Sequence, residues 1–445
     1  MNLRYITTTY ENNVKRTTEQ NMFFVRNEEQ EDELINLYPH MRYQIMEGFG
    51  GAATDAAGYT YFLMNAEQKS EMIKQYFGRE HMKYRLVRIP IDSCDFSLDH
   101  YEADSNEADE LFEHFSFERV EKYILPLLDA AEKEYGGRLE IMLSPWSPPA
   151  YMKTNGERDH GGKLKDEYKD RWAKYICRYI EEYRNRGYNV TKLTLQNEPK
   201  ATQIWDSCVY TAWEQKEFLK DHMWPALVEH ELDDIEIYIW DHNKERAFEW
   251  AETIIDEETA GMIAGVAFHW YSGDHFEALR MIRERFPDKK LLLSEACIEY
   301  RKFRPDDYLK NAQKYAHDII GNLNEGMNAF LDWNLILNEQ GGPNHVGNYC
   351  DAPFLFDREN ERLMESNLLG YLWHFSHFIE HGAVRIGWSK YTDRLEVTAF
   401  WNQDSIVFVI LNRTDEEIPA CIRIGDDCAK IAAAPNSIAT GVIEI

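Results

Sequence analysis

Two glutamates stand apart from the other acidic residues of this chain by what precedes them. Glu198 follows the run LTLQN and Glu295 follows LLLS, so each carboxyl group comes straight after an aliphatic stretch. The arrangement recurs along the chain. RIPIDSCDF carries Asp95, LSPWSPP carries Trp146, WDHN carries Asp241, His242 and Asn243, FHWY carries His269 and Tyr271, and DWN carries Trp333. Polar or aromatic residues just past aliphatic strands are where a parallel barrel builds its active site. Two carboxyl groups opposed across such a site suit cleavage of a glycosidic bond, one protonating a poor leaving group while the other attacks or stabilises an oxocarbenium-like centre. For double displacement the two groups should lie about 5–5.5 Å apart, with the acid kept protonated near neutral pH by its surroundings. In a chain with 78 acidic residues a solvated surface charge is the simplest role for most of them. Position after a strand sets these two apart.

The elements that must hold these residues are legible in the alternation of short aliphatic runs with long amphipathic stretches, the pattern of βα units. Strand-like runs occur at 47–53, 84–90, 139–144, 192–196, 235–240, 263–269, 290–294 and 327–333. Between them lie helical patterns. In SFERVEKYILPLLDAAEKEYG, Val120, Ile124, Leu127, Leu128 and Ala131 recur at helical spacing; in DEYKDRWAKYICRYIEEYRNRG, Trp172, Ile176, Tyr179 and Tyr183 do so, and both stretches end at Gly. Eight such units predict a (β/α)8 TIM barrel over 45–375. From 376 to 445 the pattern changes to short strands such as LEVTAFWN and SIVFVILN, the pattern of a small β-sandwich. Residues 1–44 carry RYITTTY and the acidic run NEEQEDE but too little apolar material for a core, so they are expected to add a strand to that sandwich.

Composition narrows the classes of function. The formal charge of −29 and a pI near 4.9 exclude a general nucleic-acid binder and disfavour stable association with anionic membranes. Hydrophobic residues make up 44 %, the content of a folded chain, and no apolar run reaches the ~18–20 residues of a membrane span. The first residues, MNLRYITTTYENNV, lack the basic head and apolar body of a signal peptide, so a cytoplasmic protein is expected. Seven cysteines without a CxxC pair point to buried reduced thiols. GFGG at 48–51 has neither the GxGxxG spacing nor the Lys-Ser/Thr of a phosphate loop and reads as a tight turn at a strand end.

Taken together, GFGGAATDA, SCDFS, SPWSPPAYMKTNG, LTLQNEP, FHWY, SEAC and DWNLILNEQGGPN occur in an order that resembles glycoside hydrolase family 30, the glucosylceramidase-like family, from about Gly48 to His374. The resemblance implies that Glu198 is the general acid/base and Glu295 the nucleophile. It further implies that Asn197 hydrogen-bonds the sugar 2-hydroxyl, and that Asp95 and Trp146 hold the far hydroxyls and the floor of the sugar site. His269, Tyr271, Trp333 and Asn348 match further pocket positions, with Tyr271 orienting the nucleophile and Arg88 a buried partner of the carboxylates. No metal or cofactor is implied. The expected activity is that of a retaining, exo-acting β-glucosidase or glucosylceramidase-like enzyme acting on small soluble β-glycosides or oligosaccharides, with β-xylosides, β-fucosides or 1,6-linked β-glucan as alternatives. The sequence departs from the glucosylceramidase pattern at His345 and Gly347 after GGPN, and at Ile298, Glu299 and Tyr300 after SEAC. From other classes, a metal-dependent barrel hydrolase using Asp241, His242 and His269 lacks the expected HxH after the first strand. A non-catalytic carbohydrate-binding protein would have no need of both carboxylates.

Overall fold

Eight parallel strands close into a barrel: β1 (Gly48–Ala52), β2 (Leu86–Ile91), β3 (Glu140–Pro145), β4 (Val190–Thr194), β5 (Glu236–Asn243), β6 (Ile263–His269), β7 (Lys290–Glu295) and β8 (Met327–Asp332), each pairing with its sequence neighbours and β8 with β1. The structure is a computed structural model describing residues 1–27, 29–304 and 306–445; Glu28, in the acidic run at 27–33, lies outside the described residues. Inside the barrel, Leu86, Met142, Tyr238, Ala267, Leu292 and Leu331 form a core of their own. Nearer the strand starts the filling turns ionic: Lys192 on β4 lies 2.9 Å from Glu140 and 3.2 Å from Glu236, and Lys290 lies 2.5 Å from Glu236. Charges this buried are tolerated only when paired.

GFGG forms β1 itself and not a turn at its end. The reason is steric: a Cβ at position 50 would sit 1.9 Å from the Leu86 carbonyl oxygen, so β1 approaches β2 more closely than any side chain permits. The helices match their periodicity. Glu118–Tyr135 buries Val120, Ile124, Leu127, Leu128 and Ala131, and stops at Gly136 with φ 77°. Lys169–Asn185 buries Trp172, Ile176, Tyr179 and Tyr183.

Both chain ends build the sandwich. Its strands run in the order Val14–Phe23, Asn2–Glu11, Ser437–Glu444, Ser405–Asn412, Leu395–Trp401, Val384–Lys390, Leu34–Ile45, Ile418–Ile424, Asp427–Ala433 and Val25–Arg26 around a core that includes Leu3, Tyr5, Leu37, Phe408 and Ile443. The N-terminal segment therefore contributes three long strands where one was expected. Val14–Phe23 is polar and almost wholly exposed, so it carries no burial pattern to read; its pairing with Asn2–Glu11 is set by a turn at Asn12 and Asn13, both left-handed at φ 50° and 62°. The sandwich is bonded to the barrel's last helix, Asn367–Ser376, where buried His374 lies 2.8 Å from both Thr8 and Thr440. All seven cysteines are buried and unbridged. Among the described residues no helix is long and apolar enough to cross a membrane.

Candidate active site

One buried cation organises the carboxyl ends of the strands. Arg88 points from β2 into the barrel mouth with no exposed surface, and its guanidinium donates to Glu295 Oε2 at 2.6 Å, Asp241 Oδ2 at 2.8 Å, Asn197 Oδ1 at 2.9 Å and Ser144 Oγ at 3.0 Å. Above it lie the rings of Trp146 and Trp333, stacked on each other at 5.3 Å with Arg88 4.8 Å from the first. Four strands are thus tied to one planar, always-charged group that no lysine can replace.

Glu295 closes β7. Besides Arg88 it accepts a hydrogen bond on Oε1 from the Tyr271 hydroxyl at 2.8 Å. Burial raises its pKa, and so does the negative Glu198, while His269, Arg88 and Tyr271 act the other way. Burial also pushes the Tyr271 phenol well above its usual value, so it stays a donor. Tyr271→Phe removes a bond made to the charged form of Glu295; hydrogen bonds to charged groups contribute ~1.5–3 kcal/mol. The expected outcome is a fall in kcat/KM of roughly tenfold or more with the fold intact. Steady-state kinetics beside a thermal melt read this, and an unchanged rate would remove Tyr271 from the site's working parts.

Glu198 follows β4 in a left-handed conformation, φ 44°, its backbone N–H donating to the Asp241 carbonyl at 2.9 Å. Strained backbone of this kind collects at functional sites. Asp241 is re-aimed by a bulge of β5 against β6, with Trp240 and Asp241 also left-handed. Its carboxylate is saturated: Oδ1 accepts from Ser294 at 2.5 Å and lies 3.1 Å from His269 Nε2, and Oδ2 accepts from Thr194 at 2.7 Å and from Arg88. His269 is buried beneath the two glutamates and does not line the cavity. Its Nδ1 lies 3.2 Å from Glu198 Oε1. Burial works against charge on this imidazole, but Glu295, Asp241 and Glu198 around it outweigh burial and lift it to about 9. Burial likewise favours neutral Glu198, yet His242 and His269 hold its carboxyl low. These directions favour the proton on His269 over Glu198, across a contact of 3.2 Å. Oxygens of Glu198 and Glu295 lie within 4.8 Å of each other.

A cavity of about 140 Å³ opens over this pair. Trp146, Asn197, Tyr271 and Trp333 line it together with Glu198 and Glu295, and so do Asp95 and Asn348 on the far wall. Asp95 Oδ2 accepts from Asn348 at 3.1 Å and Asn344 at 3.3 Å, and burial, with Glu295 nearby, raises it to about 8. Beyond these, the walls include Phe96, Gln203, Trp205 and the Glu299–Lys302 ion pair, which are absent from the sequence-level set. Gln203 and Trp205 lie in an irregular segment after β4, where no periodicity or strand end marks them; Phe96 lies within SCDFS and Glu299 just past SEAC, so these two carry a local signal. A larger cavity, about 560 Å³, lies beside Gly48, Arg85, Gly136 and Ile379 near the start of the strands, and holds no pair of opposed carboxyl groups.

Residues 46–379 match the glycosyl hydrolase family 30 TIM-barrel domain and residues 382–441 the glycosyl hydrolase family 30 beta sandwich domain. The chain is 32 % identical to the lysosomal acid glucosylceramidase of Mus musculus over 408 residues, 87 % of this chain and 79 % of that one. It is 25 % identical to the endo-1,6-beta-D-glucanase neg1 of Aspergillus fumigatus over 83 % of this chain and 79 % of that one. Among solved structures, SrfJ from Salmonella typhimurium superposes over the whole of both chains with a TM-score of 0.94 at 37 % identity.

Proposed function

Because this chain belongs to glycosyl hydrolase family 30, and is a glycoside hydrolase, we propose that it is a retaining, exo-acting β-glucosidase that works by double displacement through Glu198 and Glu295. The observation that carries the reading is that an oxygen of each carboxyl group comes within 4.8 Å of the other, which suits the ~5–5.5 Å separation of direct nucleophilic attack better than the ~6.5–9.5 Å of attack by an interposed water. A glycoside enters with its non-reducing ring over Trp146 and Trp333 and its leaving oxygen beside Glu198. The sugar strips the remaining solvent from Glu198, which favours the neutral form, so the proton held by His269 passes to the carboxylate that needs it. Glu295 attacks the anomeric carbon, the C–O bond breaks, and Glu198 gives its proton to the departing oxygen. Water, deprotonated by Glu198, then releases the sugar and restores both groups. Arg88 and Tyr271 keep Glu295 ionised until attack, and Asn197, itself held by Arg88, faces the 2-hydroxyl.

The small cavity, below the ~300–1,000 Å³ of pockets for drug-sized ligands, favours a single sugar ring over a long chain. A second reading, cleavage of 1,6-linked β-glucan by the same chemistry, has the fungal glucanase relative in its favour. A panel of aryl β-glycosides differing only at carbon 4 or 5, with a 1,6-linked disaccharide added, separates them. The expected result is highest kcat/KM on the β-glucoside with release of single glucose units; preference for xyloside or fucoside, or release of oligosaccharides from glucan, overturns the proposed substrate. Metal-dependent hydrolysis through Asp241, His242 and His269 gains no support, since Asp241 has both oxygens engaged and His269 both nitrogens.

A further inference from the structure

Three loops that reach the rim of the pocket bring His100, Asp206 and His345 together, with one ligand atom of each lying within 4.8 Å of the others. His100 belongs to the loop after β2, Asp206 to the segment after β4, and His345 to the loop after β8. Their orientations are fixed from behind. Asp206 is buried, and its Oδ1 accepts from Arg158 Nε at 2.7 Å and from Ser93 Oγ at 2.9 Å. That leaves Oδ2 facing the two imidazoles, paired with His100 Nδ1 at 3.2 Å and 3.9 Å from His345 Nε2. His345 Nδ1 donates to the Ser97 carbonyl at 3.3 Å, which places the lone pair on Nε2. That nitrogen has no hydrogen-bond partner, on a side chain only 9 % exposed. Buried polar atoms are ordinarily paired, so an imidazole lone pair left facing a carboxylate oxygen calls for an occupant.

We propose that His100, Asp206 and His345 bind a divalent transition-metal ion of the zinc class, which clamps the three loops together. Bonds of about 2.0–2.2 Å in tetrahedral geometry put neighbouring ligand atoms roughly 3.4 Å apart, between the two separations found here. Two imidazoles and one carboxylate select zinc over magnesium or calcium, which prefer all-oxygen shells. The supports are those of metal sites: one histidine anchored by a backbone carbonyl, and a carboxylate held by its other oxygen. Arg158 does not oppose the cation, because it is already paired with Glu102 at 3.2 Å and lies 3.5 Å from Asp92. The ion takes no part in glycoside cleavage. It fixes His345, whose backbone N–H donates to the Asp95 carbonyl at 3.3 Å, and Asn344 beside it, which donates to the Asp95 carboxyl.

The test uses the full chain, stripped with a chelator and titrated with Zn²⁺ by calorimetry, with magnesium as control and Co²⁺ absorption as a reporter of tetrahedral nitrogen and oxygen ligands. One zinc per chain and a raised melting temperature are expected. His345→Gln and the rim variant His100→Ala should each weaken binding about 100-fold or more, as loss of a direct ligand exceeds the 10–100-fold cost of losing a supporting one. His230→Ala, at a histidine outside this cluster that lies 2.7 Å from Glu181, should leave it unchanged. Absence of stoichiometric zinc binding, full affinity in both histidine variants, or binding that is lost only in Glu198→Ala would overturn the proposal. None of these readouts requires turnover, so they hold apart from the glycosidase reading.

Discussion

Glu295→Gln is expected to lower kcat on every β-glycoside by roughly 10⁴-fold or more, the scale on which enzymes lose activity when a covalent nucleophile is removed. The amide is nearly the same size; its carbonyl oxygen can still accept from Arg88 and its NH2 can donate to the Tyr271 hydroxyl oxygen, so the melting temperature should move little by comparison. No good leaving group rescues this variant, because the missing step is formation of the bond to the sugar. Substantial residual turnover with activated aryl glycosides would mean that Glu295 supports charge without attacking.

The second large effect separates the roles of the two glutamates. Glu198→Ala should reduce kcat/KM by about 10²–10⁴-fold on substrates whose leaving group needs a proton. On aryl glycosides with acidic phenols the first step needs no proton, and the glycosyl-enzyme should instead accumulate because water is no longer activated. Azide, a nucleophile that requires no general base, should restore the rate and give a β-glycosyl azide. Equal losses on good and poor leaving groups, or no azide product, would contradict the assignment. His269 bears on the same step. Its Nδ1 lies 3.2 Å from Glu198 Oε1, so its contribution should show in the pH profile of kcat/KM.

Much of the scaffold and of the site was legible in the chain because two physical signals coincide. Strands buried on both faces read as unbroken aliphatic runs, and the barrel puts its chemistry where those runs stop; Glu198, Glu295, His269 and Trp333 all lie at such stops. Asp241 was found by the same rule, but its task was not, since only the packed structure shows its carboxylate consumed by Arg88, Thr194, Ser294 and His269. His269, which the family resemblance places in the sugar pocket, sits beneath the carboxyl groups, where a buried imidazole acts on charge. Trp205 and Gln203 went unseen because irregular backbone has no period. The second strand of the N-terminal hairpin, Val14–Phe23, is missed for the opposite reason: a strand exposed on both faces has no apolar contrast to reveal it. His100 and His345, 245 residues apart in the chain, illustrate the remaining gap, in which three loops converge on a point that no local pattern encodes.

The most direct test of double displacement is to capture its intermediate. A 2-deoxy-2-fluoro-β-glucoside with a very good leaving group forms the glycosyl-enzyme faster than water removes it, since the fluorine destabilises both oxocarbenium-like transition states. Intact mass measurement followed by peptide mapping reads the result. Attack by Glu295 gives one fluorosugar per chain, on the peptide that contains Glu295, with activity lost in step. An adduct on another residue, or no adduct together with an α-configured product from an unmodified substrate, would contradict it.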